Sequence, residues 1–264
     1  MTRAILAELL KLRRRSVLIG AGAVLPLLAI VATAAVFASA GDGPPPATQA
    51  EYNPSLAELG AAGGMTRGFT AMSSFLGLLV LVVFIASTTS EWSQGTVRML
   101  LTRQPRRLRV FAGKAVALLL VTAVALFVAL LVAAAAAYLM AAVRNVPADA
   151  WLTGDGLGHT AGDWSRAALS VSCYGLLGMA LGTLIRSTTV AVALAFAWFF
   201  PLEHIVQNAW AGAGRWFPGL LFEAVTSNGN VETGFGRAVL LGAGMVTVLV
   251  AVAAVDLRRR DISA

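Results

Sequence analysis

The 28 residues AVALLLVTAVALFVALLVAAAAAYLMAA, from Ala115 to Ala142, contain no charged side chain. A helix needs about 20 predominantly apolar residues to cross the hydrocarbon core of a bilayer. The whole chain has the same character, because 58% of its 264 residues are hydrophobic and only 12% are charged. Soluble domains carry about 25% charged residues, which their water-facing surface requires. The composition therefore excludes an ordinary soluble fold and predicts a helical membrane protein.

Five further segments are long and apolar enough to form spans, which makes six in all: Val17–Ala40, Phe69–Ser90, Arg166–Ile185, Thr188–Ile205 and Phe235–Val255. We predict one all-α transmembrane domain over residues 1–264. The fourth segment contains Gly175, Gly178 and Gly182, of which the last two are spaced as G-x-x-x-G. Small residues at this spacing allow a second helix to approach closely.

The basic residues indicate how the spans are oriented. If the N-terminus lies inside, 15 of the 20 Lys and Arg residues fall in inner segments, and cytoplasmic loops carry such an excess. We therefore expect a multi-pass protein of a plasma membrane with both termini in the cytoplasm. The bias of 18 Arg to 2 Lys and the many alanines are typical of a GC-rich bacterial genome. Because the charges form short blocks between spans, the net charge of +7 does not indicate nucleic-acid binding.

The N-terminal region allows two interpretations. Ala38-Ser39-Ala40 before Gly41 resembles a signal-peptide cleavage site, but the apolar run Val17–Phe37 has 21 residues, against about 7–15 for a signal core. We therefore expect the first span to be retained. Before it, Thr2–Lys11 predicts an amphipathic helix on the inner membrane surface. Its apolar residues at helical spacing are Ile5, Leu6, Leu9 and Leu10.

Two outer segments are predicted to be irregular. Arg144–Ser165 is rich in Gly and Asp, and Glu203–Gly234 places Trp210, Trp216 and Phe217 among Gly, Asn and Pro. The second is too apolar for a free loop, so we expect it to dip into the outer leaflet while buried against protein. Glu203 and His204 then have two interpretations. They face a cavity or a partner, or, as we favour, the helix ends at Pro201 and leaves both at the lipid headgroups.

The chain lacks the motifs of the common membrane-associated enzymes. Its Gly113-Lys114 pair is followed by Ala115 and has Leu108 where the first Gly of G-x-x-x-x-G-K-[ST] should stand, so it cannot form a phosphate-binding loop. The two histidines, His159 and His204, do not form H-E-x-x-H, and G-x-S-x-G is absent. We therefore expect a non-catalytic chain with no metal site and no cofactor of its own.

The inner loop SEWSQGTVRMLLTRQPRRLRVFAGK, residues 90–114, contains the most specific pattern. Glu91–Thr102 predicts a short helix, with Trp92, Thr96, Met99 and Leu100 close to one side, which ends before Pro105. One alternative is a tether whose arginines only set the orientation. That alternative explains the charge but not the ordered apolar residues or the Gly-Thr pair.

This loop resembles that of type 2 ABC transporter permeases. In that family a Glu after the second span is followed by Gly-Thr, a Leu-rich helix, a Pro or Arg turn and a Gly-Lys that opens the third span. The matching residues here are Glu91, Gly95-Thr96, Leu100-Leu101, Pro105-Arg106-Arg107 and Gly113-Lys114. The opening Glu8-Leu9-Leu10-Lys11, the closing Arg260-Asp261-Ile262, the six spans and the broken outer segment are also similar to that family.

The resemblance implies that the chain works with two ATPase subunits, which bind ATP and Mg, and with a second permease in a homo- or heterodimer. Glu91–Thr102 would be the coupling helix that contacts the ATPase, and Thr2–Lys11 the family's connecting helix. The coupling contacts would come from Glu91, Trp92, Gly95, Thr96, Arg98, Leu100 and Leu101. The outer re-entrant hairpin that lids the exit would include Glu203, His204, Trp210, Trp216 and Phe217.

Two functions follow from this resemblance. The chain would be the permease of an ATP-driven exporter, or an ABC-like membrane subunit for antimicrobial sensing or immunity that binds its ligand without transporting it. The connecting segments contain no large outer domain that would serve as a receptor, which favours export.

Overall fold

A computed structural model describes residues 15–41, 43, 54–93, 107–210 and 212–259. These residues form helices and turns with no β-strand, which confirms the predicted all-α class. The α-helices are α1 (Arg15–Ser39), α2 (Leu56–Gly60), α3 (Arg67–Ser93), α4 (Arg107–Arg144), α5 (Gly154–Ile185), α6 (Thr188–Ala197), α7 (Glu203–Ala209), α8 (Pro218–Thr226) and α9 (Phe235–Arg259).

Five helical stretches are long and apolar enough to cross a membrane. This confirms that the second to the sixth predicted spans form long apolar helices. They are Gly64–Glu91, Leu108–Arg144, Gly154–Ile185, Thr188–Ala209 and Phe235–Arg259. The first predicted span corresponds to α1, whose 25 residues include the shorter apolar helix Val24–Ser39. The complete six-span arrangement stays a prediction.

The helix α5 differs from the expectation for Arg144–Ser165. It begins at Gly154, twelve residues before the predicted start of the fourth span, so the Gly- and Asp-rich segment is largely helical. Glycine disfavours a helix by about 1 kcal/mol relative to alanine. The ion pair between Asp163 and Arg166, about one turn apart, offsets part of this cost.

The chain divides into two compact units, and the prediction of one domain over residues 1–264 stays a prediction. The first unit contains residues 15–74 and 123–168. Its centre is Trp151, which is fully buried and donates its indole N–H to the carbonyl of Leu59 at 3.0 Å. The Trp151 ring meets the rings of Phe37 and Tyr138 edge-on, at centroid distances of 6.5 and 4.9 Å. This cluster fixes the short helix α2 on the ends of α1 and α4.

The second unit contains residues 75–122 and 169–264 in their described parts. Helix α3 packs tightly on the glycine face of α5, as the G-x-x-x-G spacing predicts. A Cβ added at Gly178 would collide with the carbonyl oxygen of Leu81, and one at Gly175 would come within 2.9 Å of the Phe84 ring. The core around this contact includes Leu81, Ile85, Tyr174, Phe199 and Phe222.

Candidate functional site

Most of the predicted coupling and interfacial residues lie outside the described part of the chain. This applies to Gly95, Thr96, Arg98, Leu100 and Leu101 of the inner loop, and to Ile5, Leu6, Leu9 and Leu10 near the N-terminus. Glu91 and Trp92 are in the last turn of α3, which continues to Ser93. The first three residues of the predicted coupling helix, 91–93, therefore belong to α3, and the others lie outside the described residues.

The two ends of the inner loop are joined by an ion pair. Lys114 Nζ lies 2.9 Å from Glu91 Oε1, and the side chains are only 6% and 17% exposed, respectively. The sequence neighbour of Lys114, Ala115, packs against the apolar cluster formed by Phe84, Leu118 and Met179. A charge buried in such surroundings needs an opposite charge, because its desolvation is otherwise uncompensated. The pair therefore holds the end of α3 against the start of α4, at the base of the loop.

Two further contacts lie near the same end of the second unit. The Thr89 and Thr188 hydroxyl oxygens are 2.5 Å apart, which joins α3 to the start of α6. Arg186, in the turn between α5 and α6, has a φ of 60° and donates to Asp256 of α9 at 3.3 Å. In the sequence Arg186 was interpreted only as an orientation charge. Together these contacts tie the C-terminal ends of α3, α5 and α9 to the start of α6.

The outer segment begins with a helix that passes through Pro201. Residues Trp198–Leu202 form one π-helical turn between α6 and α7. Proline has no backbone N–H and disrupts the regular ladder of an α-helix, and a π-turn accommodates such a defect without ending the helix. The expectation that the helix ends at Pro201 is therefore wrong. Of the two residues expected at the headgroups, His204 is exposed and Glu203 is buried within the protein. Glu203 is 0% exposed.

Glu203 caps the helix α8 from outside that helix. Its Oε2 accepts a hydrogen bond from the N–H of Leu220, the third residue of α8, at 3.0 Å, while the N-cap residue Phe217 makes no side-chain cap. The first N–H groups of a helix have no partner within the helix and favour a negative charge nearby. Glu203 thereby couples α7 to α8.

Glycine is required at residue 219 for this cap. A Cβ added there would collide with Glu203 Oε2 and approach Phe199 Cδ1 to 2.8 Å. Glu223 lies one turn after Gly219 on α8, and its Oε2 is 3.6 Å from Nε2 of His204 on α7. The segment from Glu203 to Thr226 is thus an ordered helical hairpin with two polar contacts between its arms.

The hairpin is anchored to α5 by two hydrogen bonds. Ser170 Oγ donates to the Phe222 carbonyl at 2.9 Å, and the Tyr174 hydroxyl donates to the Gly219 carbonyl at 3.4 Å. The Tyr174 ring also makes edge contacts with Phe199 and Phe222, at centroid distances of 5.5 and 4.7 Å.

The predicted hairpin aromatics lie on its outer surface. Trp210 and Trp216 are about half exposed, and Phe217 lies between Trp198 and Trp210 at centroid distances of 5.9 and 6.4 Å. Glu232 fixes the connection to α9, because its side chain accepts from the Gly214 N–H at 2.8 Å. In the described part of the chain no three His, Cys, Asp or Glu side chains come together as a metal site would need.

One family model matches residues 27–263, which is nearly the whole chain, and its description reads "Protein of unknown function (DUF2705)". No curated protein matches the chain at a significant level.

Proposed function

This chain belongs to the DUF2705 family of proteins of unknown function, and we propose that it is the membrane-spanning permease of an ATP-driven exporter of the ABC type 2 kind. In this proposal six spans cross a bacterial plasma membrane, and both termini are cytoplasmic. A separate ATPase subunit binds ATP and Mg and docks on the inner loop. A second permease, identical or different, completes the transport path.

The observation that carries the proposal is the ion pair between Glu91 and Lys114. These are the first and last residues of the motif that resembles the permease family, and they lie 23 positions apart. A tether that only sets orientation has no need for a nearly buried pair at its base. A loop that transmits force does, because the pair connects its two ends to α3 and α4 as one body.

Coupling requires a difference in contact energy. An ATPase moves the permease only if the free energy of docking on the inner loop differs between its nucleotide states. If the base of the loop is rigid, docking of the ATPase on the loop displaces α3 and α4. If the base is flexible, docking only bends the loop. The ordered outer hairpin fits the role of a lid at the opposite end of the path.

The proposed topology is tested with single cysteines at exposed residues, in a background where Cys173 is replaced by Ala. We expect cysteines at Asp155 and Val231 to react with an impermeant thiol reagent added to intact cells. Cysteines at Arg109 and Arg258 should react only after permeabilisation. All four residues are exposed, so accessibility to the reagent is set by the side of the membrane. Labelling of Arg258→Cys in sealed cells would contradict an even number of spans.

The proposed function is tested with Gly95→Trp, which should block close docking of the ATPase because an indole replaces a hydrogen. We expect the variant to insert at the wild-type level, to lose the co-purifying ATPase and to lose export. Arg107→Gln is the matched control in the same loop and should retain both, since one of several arginines is removed. Full retention of the ATPase by Gly95→Trp would reduce the loop to an orientation signal. ATPase retention by the wild type without any export would instead indicate sensing or immunity.

A further inference from the structure

The helical stretch Thr188–Ala209 is attached to the rest of the second unit by a single narrow stripe of buried residues. Its buried residues are Ala191, Ala195, Phe199 and Glu203, one at every fourth position, and the remaining side chains are partly or largely exposed. Residues four apart lie along one line of a helix. Two of the four are alanines, which present a smooth surface with few interlocking side chains. This helix therefore has less side-chain packing to hold it in place than α5, which is buried on several faces.

Polar contacts hold both ends of the stripe. At the inner end the Thr188 hydroxyl lies 2.5 Å from that of Thr89, which is two residues before Glu91 on α3. At the outer end Glu203 accepts the Leu220 N–H of the hairpin at 3.0 Å. The stretch thus connects the base of the inner loop with the outer hairpin by one continuous helix.

The π-helical turn divides this helix into two segments. It lies at Trp198–Leu202, between the alanine contacts and Glu203, and it contains Pro201. Kinks in helices occur at such sites, because the hydrogen-bond ladder is already interrupted there. The inner part, α6, is therefore able to change its direction relative to α7 without breaking a regular ladder.

We propose that Thr188–Ala209 is the moving strut of the protein: α6 slides and tilts on its alanine stripe when the inner loop is displaced, and Glu203 passes this movement to the outer hairpin. The inference rests on the proposed function, which supplies the displacement. It goes further in assigning the transmission to one helix and in naming Thr188 and Glu203 as its positioning residues. Thr89 lies on the same last turns of α3 as Glu91, so a shift at the loop base separates Thr89 from Thr188 and releases α6 to slide.

The test is a reversible cross-link between Thr89→Cys and Thr188→Cys in a Cys173→Ala background. The two hydroxyl oxygens are 2.5 Å apart, so cysteine sulfurs in the same rotamers would lie close to the S–S bond length. The measurement uses native membranes that contain the co-purifying ATPase, and it follows export and ATPase retention before oxidation, after oxidation and after dithiothreitol. The single variants Thr89→Cys and Thr188→Cys receive the same oxidant as controls.

We expect the reduced double variant to export and the oxidised one to fall to the level of membranes without the permease, with export restored by dithiothreitol. ATPase retention should be the same in all three states, because the docking loop is untouched. Trapping the ATPase with Mg-ATP and vanadate before oxidation should also lower the cross-link yield, since the contact opens in that state. Undiminished export with the disulfide formed would refute the proposed movement of α6 without affecting the proposal that the chain is an exporter. Failure of the disulfide to form would show that Thr89 and Thr188 are not in contact, and would also refute the proposed movement. If wild-type membranes show neither a bound ATPase nor export, the proposed function itself is refuted.

Discussion

Lys114→Met is expected to destabilise the folded protein by about 3–5 kcal/mol, the cost of removing one partner from a buried ion pair. The substitution keeps the length and apolar contacts of the side chain but removes the charge that lies 2.9 Å from Glu91. The carboxylate is 17% exposed, so water replaces only part of the lost interaction. The melting temperature in detergent measures the effect on folding, and ATPase retention measures the effect on coupling.

Arg109→Met is the matched control, because Arg109 is an exposed basic residue on the same helix. A change at an exposed position should stay within about 0.5 kcal/mol. The double variant Glu91→Lys with Lys114→Glu should recover much of the lost stability, since the pair is re-formed with reversed polarity. Equal melting temperatures for Lys114→Met and Arg109→Met would show that the pair contributes nothing, and absence of recovery in the double variant would assign the effect to other contacts of Lys114.

Gly219→Ala is the second substitution with a large expected effect. The added methyl group collides with Glu203 Oε2 and with the Phe199 ring, and such overpacking costs about 1–3 kcal/mol. Displacing the carboxylate also leaves the Leu220 N–H without its acceptor, and a buried donor without a partner costs about 1–3 kcal/mol more. We expect α8 to detach from α7, and export to be lost while the inner loop still retains the ATPase.

Gly236→Ala is the matched control, and we expect it to change the stability in the opposite direction. A Cβ at Gly236 meets nothing within 4 Å, and alanine favours a helix over glycine by about 1 kcal/mol. The control should therefore be neutral or stabilising. Glu203→Gln retains an acceptor oxygen for Leu220 and should perform better than Glu203→Leu. A Gly219→Ala protein as stable as Gly236→Ala, or Glu203→Leu equal to Glu203→Gln, would contradict the cap.

The sequence predicted the helical class and five of the spans because an apolar run of this length has few alternatives. It misplaced the boundaries where local composition and tertiary contacts disagree. Glycines at residues 154, 156, 158 and 162 indicated a loop, yet α5 begins at Gly154. Pro201 indicated a helix end, yet one π-turn carries the helix to Ala209. Each error arose from a local preference of about 1–3 kcal/mol that the surrounding structure overrides.

The sequence indicated several residues of the site but not the contacts that these residues make. Glu91 and Lys114 were both singled out, but only the antiparallel return of α4 beside α3 brings them together. Glu203 was noticed as a costly charge near a span, but its partner is a backbone N–H of α8, which no residue type reveals. Arg186 and Asp256 are 70 positions apart, and nothing in either local pattern pointed to the other.

ATP hydrolysis by a preparation of the chain, purified from its native membranes under mild conditions, decides whether the chain is the permease of an ATP-driven exporter. The chain contains no phosphate-binding loop, and the proposal therefore assigns hydrolysis to a second protein. We predict hydrolysis in the mild preparation, an ATPase subunit present in comparable amount, and complete loss of hydrolysis when that subunit is stripped away, with recovery when it is added back. Two results would contradict the permease proposal: a mild preparation with no nucleotide-hydrolysing subunit, or hydrolysis that persists in the isolated chain.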